Sequence, residues 1–158
     1  MKCLRDRLWL WGQDANSHQD CPANETWKLP QGNRLDAVGG ARYLGIDRIC
    51  RVVMNGLPVP PFDGESEKMK DVSEVVWSIV GDSGSTRNDE TTDLDEVLRQ
   101  AGRYDNISGA ILDDFFRPPT AATPYPARYS PDQVGVMRDR LHAARRPLDF
   151  WVVLYRPN

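Results

Sequence analysis

Cysteine is scarce in this chain: Cys3, Cys21 and Cys50 are odd in number, far apart and free of any Cys-x-x-Cys or Cys/His ligand spacing. Such a set supplies neither a disulfide framework nor a zinc site, and it suits a reducing compartment. Long apolar runs are missing as well. The charged start, Met1-Lys-Cys-Leu-Arg-Asp-Arg7, leads into only a few apolar residues, too few for a secretion-signal core or a membrane span. The sequence therefore predicts a soluble, cytoplasmic chain. Nor is there an excess of one charge, since 20 Lys plus Arg stand against 23 Asp plus Glu for a net charge of -3. With no basic stripe interleaved with aromatics, a nucleic-acid partner is not expected. The densest basic cluster, Arg138, Arg140, Arg145 and Arg146, is broken by Asp139 and falls late in an expected helix, where cations oppose the helix dipole. It reads as a solvated face. Neither a Gly-x-Gly-x-x-Gly run nor a P-loop occurs, so no nucleotide cofactor is implied.

What is present is a repeated grammar of short apolar runs and amphipathic stretches. With 158 residues and 40% hydrophobic content, residues 1–158 make a single α/β domain with a sizeable core. Strands are expected at Arg7–Trp11, Arg48–Met54, Glu74–Val80, Ile107–Asp113 and Asp149–Tyr155. Helices are expected at Arg34–Leu44, ended by Gly45, and at Leu94–Tyr104, with Asp93 as N-cap and Glu96 in the reciprocal position. A third follows from Ser130-Pro131 to about Ala144, and Ser66–Asp71 adds a single turn. Residues 13–31 and the proline-rich Arg117–Pro126 read as long loops.

Strands alternating with helices predict parallel pairing through right-handed crossovers. Two architectures satisfy the order: five strands of an incomplete (β/α)8 barrel, or an open, doubly wound three-layer sheet. A complete barrel typically takes about 250 residues, so the first would be a partial one.

The run Ile107-Ser-Gly-Ala-Ile-Leu-Asp113-Asp114 is the strongest functional signal, because it reads as a strand buried on both faces that ends in adjacent carboxylates. Acids at the C-terminal ends of parallel strands occupy the position where such folds carry chemistry. Neighbouring residues on a strand point to opposite faces, so Asp113 and Asp114 share a cleft only if the strand has already ended. Asp82, after the third strand, is the nearest candidate for an opposing carboxylate. Clustered hard oxygens from Asp82, Asp113 and Asp114 could suit magnesium or calcium, although nothing in the spacing demands a metal.

Taken together, Trp9-Leu-Trp11-Gly12, Ala41-Arg-Tyr-Leu-Gly45-Ile46, Val76-Trp77-Ser-Ile-Val80-Gly81-Asp82-Ser83, Gly109-Ala-Ile-Leu-Asp113-Asp114-Phe115 and Phe150-Trp-Val-Val-Leu-Tyr155 resemble the N-terminal half of glycoside-hydrolase-like (β/α)8 barrels. The resemblance is a pattern of strand ends over nearly the whole chain. It implies acid-base hydrolysis of a carbohydrate, with Asp113 or Asp114 as the catalytic acid and Trp11, Trp77 and Tyr155 as platforms for sugar rings. Such hydrolysis needs a second carboxylate roughly 5 to 9.5 Å away, for which Asp82 stands.

Two other readings stay open. Gly81-Asp-Ser83 with Asp139-Arg-Leu-His142 resembles the blocks of GDSL-type esterases, which requires Ser83 within hydrogen-bond reach of His142. Gly81-Asp-Ser-Gly-Ser85 also matches the nucleophile motif of trypsin-like proteases in letters, but those are antiparallel, and His18 is the only upstream histidine. The third reading is a non-catalytic interaction module, whose open sheet edges would pair with a second copy.

Overall fold

The computed structural model describes residues 4–17, 32–81, 92–116, 118–119, 121, 124 and 126–154. Five strands form one sheet: β1 (Leu10–Gly12), β2 (Arg48–Arg51), β3 (Glu74–Ser78), β4 (Ile107–Leu112) and β5 (Asp149–Val152). Each pairs parallel to the next in chain order, with β1 and β5 at the edges. A doubly wound sheet needs a reversal in strand order, and here there is none.

Four helices separate the strands: α1 (Ala37–Leu44), α2 (Asp63–Lys68), α3 (Leu94–Ala101) and α4 (Pro131–His142). Three of them send buried residues into one cluster, Ala37 and Ala41 from α1, Leu94 and Val97 from α3, Met137 and Leu141 from α4, and Phe62 and Met69 join it from the two ends of α2. They meet Ile49, Val75, Trp77, Ala110 and Leu112 from a single face of the sheet. A second cluster, Cys50, Val52, Val76 and Ile111, occupies the opposite face beneath Trp9, Trp151 and Val153.

That second face is concave. Five strands spaced ~4.8 Å apart would hold β1 and β5 roughly 19 Å from each other in a flat sheet. Yet Trp9, next to β1, and Trp151, on β5, meet edge to face with ring centroids 4.8 Å apart. Only a strongly curled sheet lets side chains from its two edges touch across one face.

Local chemistry explains most boundaries. Gly12 is required where β1 meets α1, because a Cβ there would lie 2.5 Å from the Ala37 Cβ. Gly109 answers a similar demand between β4 and β5, where a Cβ would come within 2.7 Å of the Asp149 carbonyl oxygen. α1 starts at Ala37, three residues later than expected, because the Asp36 carboxylate accepts from the Gly39 amide at 2.7 Å and fixes the N-cap. Gly45 ends it in a left-handed conformation, φ 63°. β2 stops at Arg51, and Met54 to Leu57 then forms a tight reversal with Asn55 and Gly56 both at positive φ, the geometry that Asn-Gly favours. The expected Ser66–Asp71 turn is α2, displaced toward the N-terminus.

The expected cap of α3 takes another form. The Asp93 side chain does not cap the helix; its amide donates to the Ile79 carbonyl instead, and Thr92 Oγ1 accepts from Leu94. Glu96 serves α2, accepting the Phe62 amide at 2.7 Å while also binding Arg99 and Gln100. The Arg99 hydrogen bond is the main cause that holds the Glu96 carboxyl down at about 2. At α4 the sequence signal is realised in full: Ser130 Oγ accepts from the Gln133 amide, and the Ser130 amide donates to Gln133 Oε1 at 2.8 Å.

Candidate functional site

Asp113 is the first residue past β4 and is buried, with 7% of its surface exposed. It follows Ile111 by two positions and so points to the concave side, the side of Cys50. The Cys50 thiol is pushed up to about 11, first by burial and then by the negative charge of Asp113. Asp114 departs from strand geometry altogether. Its φ of 44° is left-handed, a region that aspartate tolerates better than most residues, and its amide turns back to donate to Asp113 Oδ1 at 2.8 Å. The strand has thus ended, and the second acid serves the first through its backbone while its own side chain is half-buried.

A guanidinium reaches this rim from the chain that follows the proline-rich excursion. Arg128 is 7% exposed; its amide donates to the Phe115 carbonyl at 2.8 Å, and its Nη1 donates to the Gly81 carbonyl at 3.0 Å. One residue therefore ties the chain leaving β3 to the chain leaving β4. Ser78, fully buried, turns the end of β3 by donating to the Val80 carbonyl at 2.8 Å. Phe115 packs against the helix-side core and meets Phe116 edge to face at 5.0 Å, leaving Phe116 exposed.

The other expected residues fare differently. Asp82, Ser83 and Tyr155 lie outside the described residues, as does His18. Trp11 is 44% exposed and lines a shallow cavity of about 330 Å³ with Gln13, Asn33, Leu35 and Asp36, between β1 and α1. Neither Asp113 nor Asp114 lines that cavity. Trp77 is not a platform: it is completely buried on the helix side, stacked on Phe62 at 4.5 Å and 2° with the Arg51 guanidinium 5.8 Å from its ring. A ring with no exposed face cannot take a sugar. His142 is exposed on the last turn of α4. α4 runs back toward the start of β5, so His142 sits at the opposite end of the sheet from Gly81, the described residue nearest to Ser83.

Two buried arginines carry polar structure that the sequence pattern did not single out. Arg51, 0% exposed, binds Asp14 at 2.8 Å and Glu65 at 3.0 Å and donates to the Val52 carbonyl at 2.7 Å. It sits on the helix side, joins β1, β2 and α2, and is an architectural centre. Arg128 is the one at the rim. A strand reading of Arg48–Met54 places Arg51 on the face of Ile49, the only hint available for it, whereas Arg128 lies in a loop with no periodicity to reveal its direction. The cluster read as a solvated face is paired to acids: Arg138 with Asp139, Arg140 with Asp95, and Arg145 and Arg146 with Asp105.

Among the described residues no three His, Cys, Asp or Glu side chains gather to hold a metal ion. No described helix is long and apolar enough to cross a membrane. Comparison with protein families, with curated proteins and with solved structures finds no match.

Proposed function

We propose that this chain is a half-barrel hydrolase acting on a carbohydrate by acid-base chemistry, with Asp113 as its lead proton-transfer group. The observation that carries the reading is a buried carboxylate at the C-terminal end of β4, turned to the concave face, one oxygen held by the amide of a residue at positive φ. Burying a carboxylate costs several kcal/mol unless it is compensated, and strained backbone concentrates at functional sites. Sequential strand order, helices on one face and the cross-lumen Trp9–Trp151 contact support a barrel-like curl. Asp82, directly after Gly81 in sequence, is the proposed opposing carboxylate, and Trp11 the proposed platform. The esterase reading is less favoured because His142 stands at the other end of the sheet.

A second reading has one observation in its favour. Val152 and Leu154 on the β5 edge, at 40% and 78% exposure, together with Trp11 on the β1 edge, suit pairing with a second copy.

Both are tested on one preparation. A panel of chromogenic aryl glycosides and oligosaccharides should reveal turnover in the wild type, and Asp113→Asn should lower kcat by roughly 10²- to 10⁴-fold with an unchanged melting temperature. Equal turnover in Asp113→Asn would remove Asp113 from the chemistry. Inert protein that sediments as a dimer would favour the interaction module.

A further inference from the structure

Arg128 and Asp113 are two charged side chains, each 7% exposed, that arrive at the same rim from different segments. Gly81 follows β3 by three residues and Asp113 follows β4 directly, on neighbouring parallel strands that leave the sheet at the same end. The Arg128 guanidinium, bonded to the Gly81 carbonyl at 3.0 Å, therefore sits at the strand end next to the one that carries both acids. Its backbone reinforces the placement, since the Arg128 amide is fastened to the Phe115 carbonyl at 2.8 Å, two residues beyond Asp113.

We propose that Arg128 is a positioning residue that keeps Asp113 as a carboxylate anion, making Asp113 the ionised, proton-accepting member of the acid-base pair. The inference rests on the reading of Asp113 as the reacting carboxylate, and it assigns the donor's part to a different group. One contact and one neighbouring charge favour the anion. A hydrogen bond to Asp113 Oδ1 from the Asp114 amide, at 2.8 Å, is worth most when the oxygen is charged. A guanidinium at the neighbouring strand end stabilises the same form and does not itself lose its proton. Two described neighbours oppose rather than assist: Cys50 faces Asp113 from β2 as a neutral thiol, and Asp114 adds a like charge from the same turn. Arg128 is thus the described cation placed to offset them.

The choice of arginine fits the task. A lysine would supply the charge but not the planar fork that can hold the Gly81 carbonyl and still present donors toward the acid turn. Tying Gly81 to the chain after β4 also fixes how far apart these two strand ends stand, and carboxylate separation is the quantity that decides between water-mediated and direct attack in two-carboxylate chemistry.

The test is a ¹³C-carboxyl NMR titration of wild type, Arg128→Lys and Arg128→Met, which needs no substrate. Arg128→Met should raise the Asp113 midpoint by about 1 to 3 pH units, the usual effect of removing an adjacent cation, while Arg128→Lys retains most of the wild-type value. A purely structural arginine would lower the melting temperature in both variants and leave the midpoint in place, which would overturn the proposal. If Arg128→Met does not fold, the wild type decides: guanidinium ¹⁵N resonances of Arg128 that inflect at the Asp113 midpoint support the proposal, and resonances flat through it refute it. Failure here leaves Asp113→Asn free to abolish turnover. Conversely, an active Asp113→Asn overturns the functional reading and leaves the Arg128 electrostatics standing.

Discussion

Single residues in this chain carry more than their sequence context announces. Cys50 illustrates how burial and a distant carboxylate combine. Its thiol, raised to about 11 by burial and then by Asp113, stays protonated in the folded protein well above the pH at which the unfolded chain ionises, near 9.0. A group with a raised folded value contributes stability that is complete below its unfolded value and disappears as pH climbs through the folded one. Stability should therefore decline between about pH 9 and pH 11, by about 2 to 3 kcal/mol from this group alone. Cys50→Ala should flatten that part of the profile in urea denaturation curves measured across the interval. A decline of the same size in the alanine variant would assign it to other groups. At residue scale the sequence was legible for Asp113, whose strand-end position required no partner to be known. It misled for Trp77, because an aromatic beside a strand end reads alike whether it faces helices or solvent. The difference lies in Phe62, which covers Trp77 from a loop whose path only the folded chain reveals.

At the scale of elements, α1 begins three residues later than expected because Asp36 is its cap, and helix starts were legible where the capping residues kept their local partners. Ser130-Pro131 with Gln133 is such a case, and α4 begins where those residues demand. Asp93 and Glu96 offered the same letters but were drawn to other partners, the Ile79 carbonyl and the Phe62 amide. Tertiary contacts outbid local ones there because a buried amide without an acceptor costs more than an exposed cap contributes. Strand ends were overestimated on β2 and β3, since apolar residues continue past the last pairing into the turns that leave the sheet, whereas β1 starts three residues later than expected and runs one further. Glycines separate into two kinds by what surrounds them. Gly12 has no room for a methyl group, whereas an added Cβ at Gly135, in the middle of α4, meets nothing within 4 Å. Gly135→Ala should accordingly stabilise the protein by about 0.5 to 1 kcal/mol through helix propensity, seen as a higher midpoint in thermal or urea unfolding. Gly12→Ala should lower that midpoint. A neutral or destabilising Gly135→Ala would mean that the α4 surface is covered by something the isolated chain does not show.

The whole molecule is governed by the curl of its sheet. Alternation of strand and helix was enough to predict parallel order, because crossovers of one hand leave few topologies. It could not decide between flat and curled, since both place the same residues on the same faces. The Trp9–Trp151 contact decides it, and it joins residues 142 positions apart in the chain, one next to β1 and one on β5, edge strands that share no hydrogen bonds in the sheet order. An edge-to-face pair of this kind contributes about 0.5 to 1.5 kcal/mol beyond area burial. A double-mutant cycle with Trp9→Leu, Trp151→Leu and both together should return a coupling energy in that range, whereas tryptophans on opposite edges of a flat sheet would act independently to within ~0.3 to 0.5 kcal/mol. The cycle also probes the candidate site. Relaxing the curl widens the concave face on which Cys50 and Asp113 interact, so each single variant should bring the Cys50 thiol back down from about 11, read as faster alkylation at alkaline pH. Coupled stabilities with an unchanged thiol would show that the tryptophans brace only the N-terminal end of the lumen. Independent stabilities would remove the curl itself, and with it the concave placement of Asp113 on which the proposed chemistry stands.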